Sequence, residues 1–170
     1  MLTRTEVLMT LRGIKLINWK LARYFGINFR TMLLLTDDLA NRIKKMESGK
    51  SNIYQIGGGP GSGFYQVENS RGSGTNETWL RRTVNTLGKE CPAWVRQMMG
   101  KDVNFITLSE FQQDLLFLGN MWQEKGSFES LRKIIEAKPE EVPEACFEYW
   151  RDHHKKAPVT PQEKERFLAL

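Results

Sequence analysis

The chain has little of what would make its chemistry obvious. Of 170 residues only two are cysteine and two are histidine. Cys91 and Cys146 belong to no CxxC or Cys/His pattern, which argues against a zinc site. Two buried reduced thiols are expected in preference to a disulfide, since nothing marks the chain as exported. His153 and His154 are adjacent, so on a helix they point apart and no metal site is expected there. No stretch approaches the ~18–20 apolar residues of a membrane span. The N-terminal region scatters Arg4, Glu6, Arg12 and Lys15 among its apolar positions and has no uninterrupted apolar core, so no secretory leader is expected. Internal repeats and low-complexity tracts are absent.

What is present describes a packed globule. Apolar residues make up 40% of the chain, with five Trp and nine Phe, enough to bury a core in one domain without staples. The net charge of +5 favours anionic partners. On charge alone, nucleic acid, anionic wall polymer and acidic membrane surface stand equal.

Turn and cap signals cut the chain into short helices. Helices are expected over about 3–11 and 13–25, punctuated by Gly13 and Gly26. Met32, Leu35, Leu39, Ile43 and Met46 recur at spacings of three and four and predict a helix over 31–47, closed by Gly49. Thr75 or Asn76 caps a helix that Gly88 ends. Pro92 opens a helix stopping before Gly100. Thr107-x-x-Glu110 reads as a capping box for a long helix carrying Leu115, Leu118 and Trp122. Further helices are expected from Ser127 to about Ala137, over 143–155, and from the Thr160-Pro161-Gln162-Glu163 box onward. The fold class is mainly α, with at most a small β-hairpin from 53–56 and 64–67.

The one long stretch without helix formers is 48–74. Five glycines fall within Gly57 to Gly63, and glycine is a poor choice for a regular element because it loses the most backbone freedom on ordering. Such a connection is uncommon unless it is functional. It is not a P-loop, because no Lys-Ser/Thr follows the final glycine.

Before this loop stands Glu47-Ser48 at a helix end; within it runs Gly61-Ser62-Gly63-Phe64-Tyr65-Gln66. The pairing resembles the core of lytic transglycosylases and goose-type lysozymes, where a helix ends in Glu-Ser and a glycine-rich loop leads to an aromatic and a Gln. It is most similar to the lysozyme-like proteins of tailed bacteriophages, several of which carry an IGGGP-x-x-G-aromatic-x-Q-x-E run; Ile56 to Glu68 matches it. Tyr149-Trp150-Arg151 and Pro158 onward answer to that family's second half, so the resemblance covers about 31–158. It leaves 1–30 as an N-terminal helical arm and 159–170 as a C-terminal helix or tail.

The resemblance implies a lysozyme-like fold and a peptidoglycan-cleaving glycosidase, phage-encoded and either an endolysin or virion-borne. Glu47 would be general acid and then base. Ser48 and Gln66 would orient it and the substrate, Gly61, Gly63 and Tyr65 would line the groove, and Tyr149 would lie over the glutamate. No metal or organic cofactor is implied. The expected partners are glycan strands and other virion proteins; the protein would be made in the host cytoplasm and act at the cell wall or reside in the virion. The rival expectation is a virion structural or ejection protein that keeps the fold without turnover. A nucleic-acid-binding domain rests on charge alone and ranks below both.

Overall fold

Caps and glycines set most of the element ends. The computed structural model describes residues 2–155 and 157–170. Thr3 accepts from the Glu6 backbone N–H, and the Glu6 carboxylate reaches back to Thr3, opening α1 (Arg4–Phe25). Asn28 caps α2 (Phe29–Ser48), which ends at Gly49 in the left-handed region with φ 63°. The chain continues through β1 (Gly61–Ser62), β2 (Val67–Glu68), α3 (Thr75–Leu87), α4 (Ala93–Met98), α5 (Glu110–Gln123), α6 (Ser127–Glu136), α7 (Val142–His153) and α8 (Pro161–Leu168). The protein is thus mainly α, with one small antiparallel pair of strands, among the described residues. None of those helices is long and apolar enough to cross a membrane.

Several expected boundaries move, each for a local reason. Gly13 does not divide two helices; it lies inside α1, where a Cβ would meet Leu115 Cδ1 at 2.9 Å. It is a contact residue rather than a stop. The box opening α5 is Ser109 with Gln112, not Thr107 with Glu110, because Thr107 closes a short 3₁₀ turn over Phe105–Thr107. Asn76 does not cap α3 from outside. Its Nδ2 holds Asp102 Oδ1 and Val103 O instead. The hairpin is displaced too: Gly61 pairs with Glu68 and Ser62 with Val67, while Tyr54 makes a single bridge to Ser62. Positive φ at Gly63 (82°) and Gln66 (52°) tightens the turn between the strands.

The core is built around α5. Leu115, Leu116, Phe117, Leu118 and Met121 are all buried, and α1 and α3 pack against this helix. At Gly119 an added Cβ would lie 2.1 Å from Thr83 Oγ1, so α3 and α5 cross at a distance only glycine allows. The helix expected as an N-terminal arm packs into the domain: Ile17 and Leu21 of α1 are fully buried in the same core as α5. The C-terminal segment also closes onto it, with Phe167 stacked 5.4 Å from Trp150. Cys91 and Cys146 are buried free thiols, pushed up to about 11 and about 12 by their burial.

Two buried polar networks tie the loop region to this core. Lys44 on α2 is 2% exposed and pairs with Glu110 (2.8 Å) and Asp114 (3.0 Å) on α5. Burial alone would lower its ammonium, but the two carboxylates outweigh it and hold it above the usual lysine range. The second network centres on Gln113, which is fully buried. Its Oε1 accepts from the Phe64 N–H (2.8 Å), and its Nε2 donates to Phe105 O (2.9 Å), Leu108 O (3.0 Å) and Asn52 Oδ1 (3.1 Å). Gly63 has no room for a side chain because a Cβ would stand 2.3 Å from Gln113 Oε1. Gln113→Leu strands several of these groups, each worth about 1–3 kcal/mol when orphaned. Urea denaturation of that variant should show a loss of about 3 kcal/mol or more.

Candidate functional site: a groove at the end of α2

The last turn of α2 is fixed by backbone caps and by one hydroxyl. Gly49 and Lys50 N–H groups bond the Lys45 and Lys44 carbonyls, closing the helix. Ser48 Oγ donates toward Lys44 O (3.0 Å) and Phe64 O (2.8 Å) and accepts from the Ser51 N–H, so it fastens the glycine-rich loop to the helix end. Gln66 fastens the loop to itself, its Nε2 donating to Ile53 O and Gly63 O. Gln55 adds a third tie, accepting from the Gly61 N–H through Oε1.

Between this loop, α2, α7 and α8 lies an open groove of about 700 Å³. Glu47 lines it, with a side chain one-fifth exposed. The Trp150 indole donates to Glu47 Oε1 at 2.8 Å. His154, one helical turn further along the chain, brings Nε2 to 3.8 Å from the same oxygen. That nitrogen is 2.7 Å from Tyr65 O. A carbonyl only accepts, so Nε2 carries the proton. Both approaches are to Oε1, which leaves Oε2 without a donor among the described residues.

The expected site residues divide into two groups. Glu47, Ser48 and Gln66 line the groove. Gly61, Gly63, Tyr65 and Tyr149 do not. Tyr65 is fully buried, stacked on Phe117 (4.9 Å), and its hydroxyl donates to Asp114. Burial, with the Asp114 carboxylate, pushes its phenol well above the ordinary tyrosine range. Tyr149 is 2% exposed and faces His153 and Phe117 instead of Glu47. One residue along a helix turns a side chain by about 100°, so its neighbour Trp150 reaches the glutamate. Gly61 and Gly63 serve the loop's own close packing, Gly61 lying where a Cβ would meet Gln66 O at 3.0 Å.

Trp150 and His154 were not among the expected site residues. Their i, i+4 spacing at the end of an amphipathic helix was the available signal. The other groove carboxylates have partners: Glu68 accepts from the Ser73 N–H (2.7 Å) and Glu163 pairs with Lys155 (2.7 Å). A Ser130–His153–Glu124 string is also present, with Ser130 Oγ 2.7 Å from His153 Nε2. It is not a nucleophile triad: Glu124 Oε2 is 3.9 Å from His153 Nδ1, beyond hydrogen-bond reach, and Ser130 does not line the groove. Among the described residues no cluster of three or more His, Cys, Asp or Glu could hold a metal.

No family model, no curated protein and no solved structure matches the chain.

His153, which also lines the groove, makes the fold sensitive to pH. Burial lowers its pKa against an opposing pull from Asp152. With the folded value below the unfolded ~6.5, the unfolded chain binds more protons in that window. The contribution to stability is therefore fully present above about pH 6.5 and is lost as pH falls through the folded value. Chemical denaturation between about pH 7.5 and 5 should show wild type losing more stability than His153→Gln over that range.

Proposed function

We propose that the groove binds a glycan strand of peptidoglycan and that Glu47 is the general acid that breaks its glycosidic bond. The observation carrying this reading is the placement of Glu47. Its carboxyl borders a 700 Å³ groove, where the helix end meets the glycine-rich loop. The other groove carboxylates are engaged elsewhere. Such cleavage needs a proton delivered to the leaving oxygen. With a single carboxyl the same residue then serves as base, taking the proton from water or from the sugar's own 6-hydroxyl; the second route leaves a 1,6-anhydro end. Trp150 holds the carboxyl in place through Oε1, so Oε2 is the oxygen available for proton transfer. Ile56, 89% exposed on the loop at the groove, offers an apolar surface to a sugar face. The lysozyme-like motif over 47–68 supports the same substrate class and a phage origin.

One observation favours a second reading, a virion protein of similar shape without turnover. The Trp150–Glu47 hydrogen bond also joins α7 to α2, a contact that a scaffold would keep for packing alone.

Glu47→Gln separates the two. Glutamine retains an oxygen acceptor for Trp150, so the thermal midpoint should stay nearly unchanged. Clearing of bacterial sacculi should fall by ~10²–10⁴-fold, the usual worth of a general acid. Glu68→Gln should cost less than tenfold, because Glu68 serves the Ser73 N–H. Undiminished clearing by Glu47→Gln overturns the assignment, and a folded wild type that clears nothing favours the scaffold.

A further inference from the structure

The outer face of α1 combines exposed apolar side chains with cations. Its inner face, through Ile17 and Leu21, belongs to the core. At 100° per residue, Arg4, Leu8, Leu11, Arg12, Lys15, Trp19 and Arg23 fall within a single arc of about 120° on the opposite side. All seven are exposed, with Leu8 at 56%, Leu11 at 43% and Trp19 at 50%. Leu8 and Trp19 lie at the middle of the arc and the four cations around them. The arc contains no carboxylate. The helix's one acid, Glu6, is on another side and is held in the N-terminal capping box. Arg12 meets Glu90 at 3.4 Å, with both groups solvent-exposed, and the Arg23 guanidinium lies 5.4 Å from the Trp19 ring centre.

We infer that this face docks on an anionic lipid surface. The pattern decides between anionic partners. A nucleic acid or a wall polymer would satisfy the cations but leave two leucines and half an indole in water. A lipid interface takes both, headgroups meeting Arg and Lys while Leu8, Leu11 and Trp19 enter the headgroup–acyl boundary. The face runs along about 30 Å of helix. Because the opposite side of α1 is already anchored in the core, docking needs no unfolding and places the whole domain against the bilayer. The inference is independent of the glycosidase reading.

Trp19 supplies the reporter, since Trp79, Trp94 and Trp150 are each 3% exposed or less and Trp122 packs on Phe128. Phospholipid vesicles with a quarter anionic lipid should shift the tryptophan emission to the blue and sediment the protein. Purely zwitterionic vesicles should do neither. Trp19→Phe should abolish the shift while sedimentation persists. Arg4→Gln with Lys15→Gln should weaken partitioning by roughly 25-fold, about fivefold for each cation removed. Leu8→Ser with Leu11→Ser should weaken it further still at unchanged charge, and circular dichroism would check that each variant keeps its helix content. Failure to bind anionic vesicles, equal binding to zwitterionic ones, or binding to soluble DNA that survives the leucine substitutions would each overturn the inference.

Discussion

The carboxamide of Gln113 is the constraint on which the candidate site depends. Glycine-rich chain has no intrinsic reason to hold a shape, and five glycines in seven residues would leave 57–63 as a loose connection. Gln113 changes that from the first turn of α5, the most buried helix. It takes the Phe64 N–H and gives its own protons to the 105–108 turn and Asn52, so the loop, the turn and α5 share one buried hydrogen-bonding centre. Unsatisfied groups there would be costly, which makes the arrangement close to all-or-none. The short strands, the Ser48 tie to Phe64 and the seat of Tyr65 follow from the loop being held at that point.

This explains why some of the molecule was legible in the sequence and some was not. Amphipathic spacing and local caps are properties of neighbours in the chain. The 31–47 helix, its Gly49 stop and the Thr160 box were therefore readable, and they stand in the structure within a residue or two. The meaning of a glycine depends on what lies across from it. Gly13 looked like a break and is a contact with Leu115; Gly63 looked like a groove wall and is the space Gln113 needs. Likewise the resemblance set Tyr149 over Glu47, and the structure sets the next residue there. Tyr149 turns into the core, and Trp150 and His154 face Glu47. Gln113 could have been noticed as a polar residue on the apolar side of a long helix, but its partners are 5 to 61 residues away.

At the groove itself, the two carboxylate oxygens of Glu47 have different surroundings. Glu47 Oε1 belongs to the fold through the indole of Trp150, while Oε2 meets no donor among the described residues. The buried Lys44–Asp114–Tyr65 cluster beneath it braces α2 against α5 at the turn that carries Glu47. A carboxyl held by one oxygen on a rigid helix end is preorganised, and the glycine-rich loop supplies the opposite wall.

In the proposed function this carboxyl cuts glycan chains, and the products show whether it does. Mass spectrometry of the soluble products formed from purified bacterial sacculi is the decisive measurement. Short muropeptides with newly formed glycan ends, either reducing or 1,6-anhydro, should accumulate with time. Sacculi left intact by the folded protein, or fragments whose only new ends lie in the peptide stems, would contradict it.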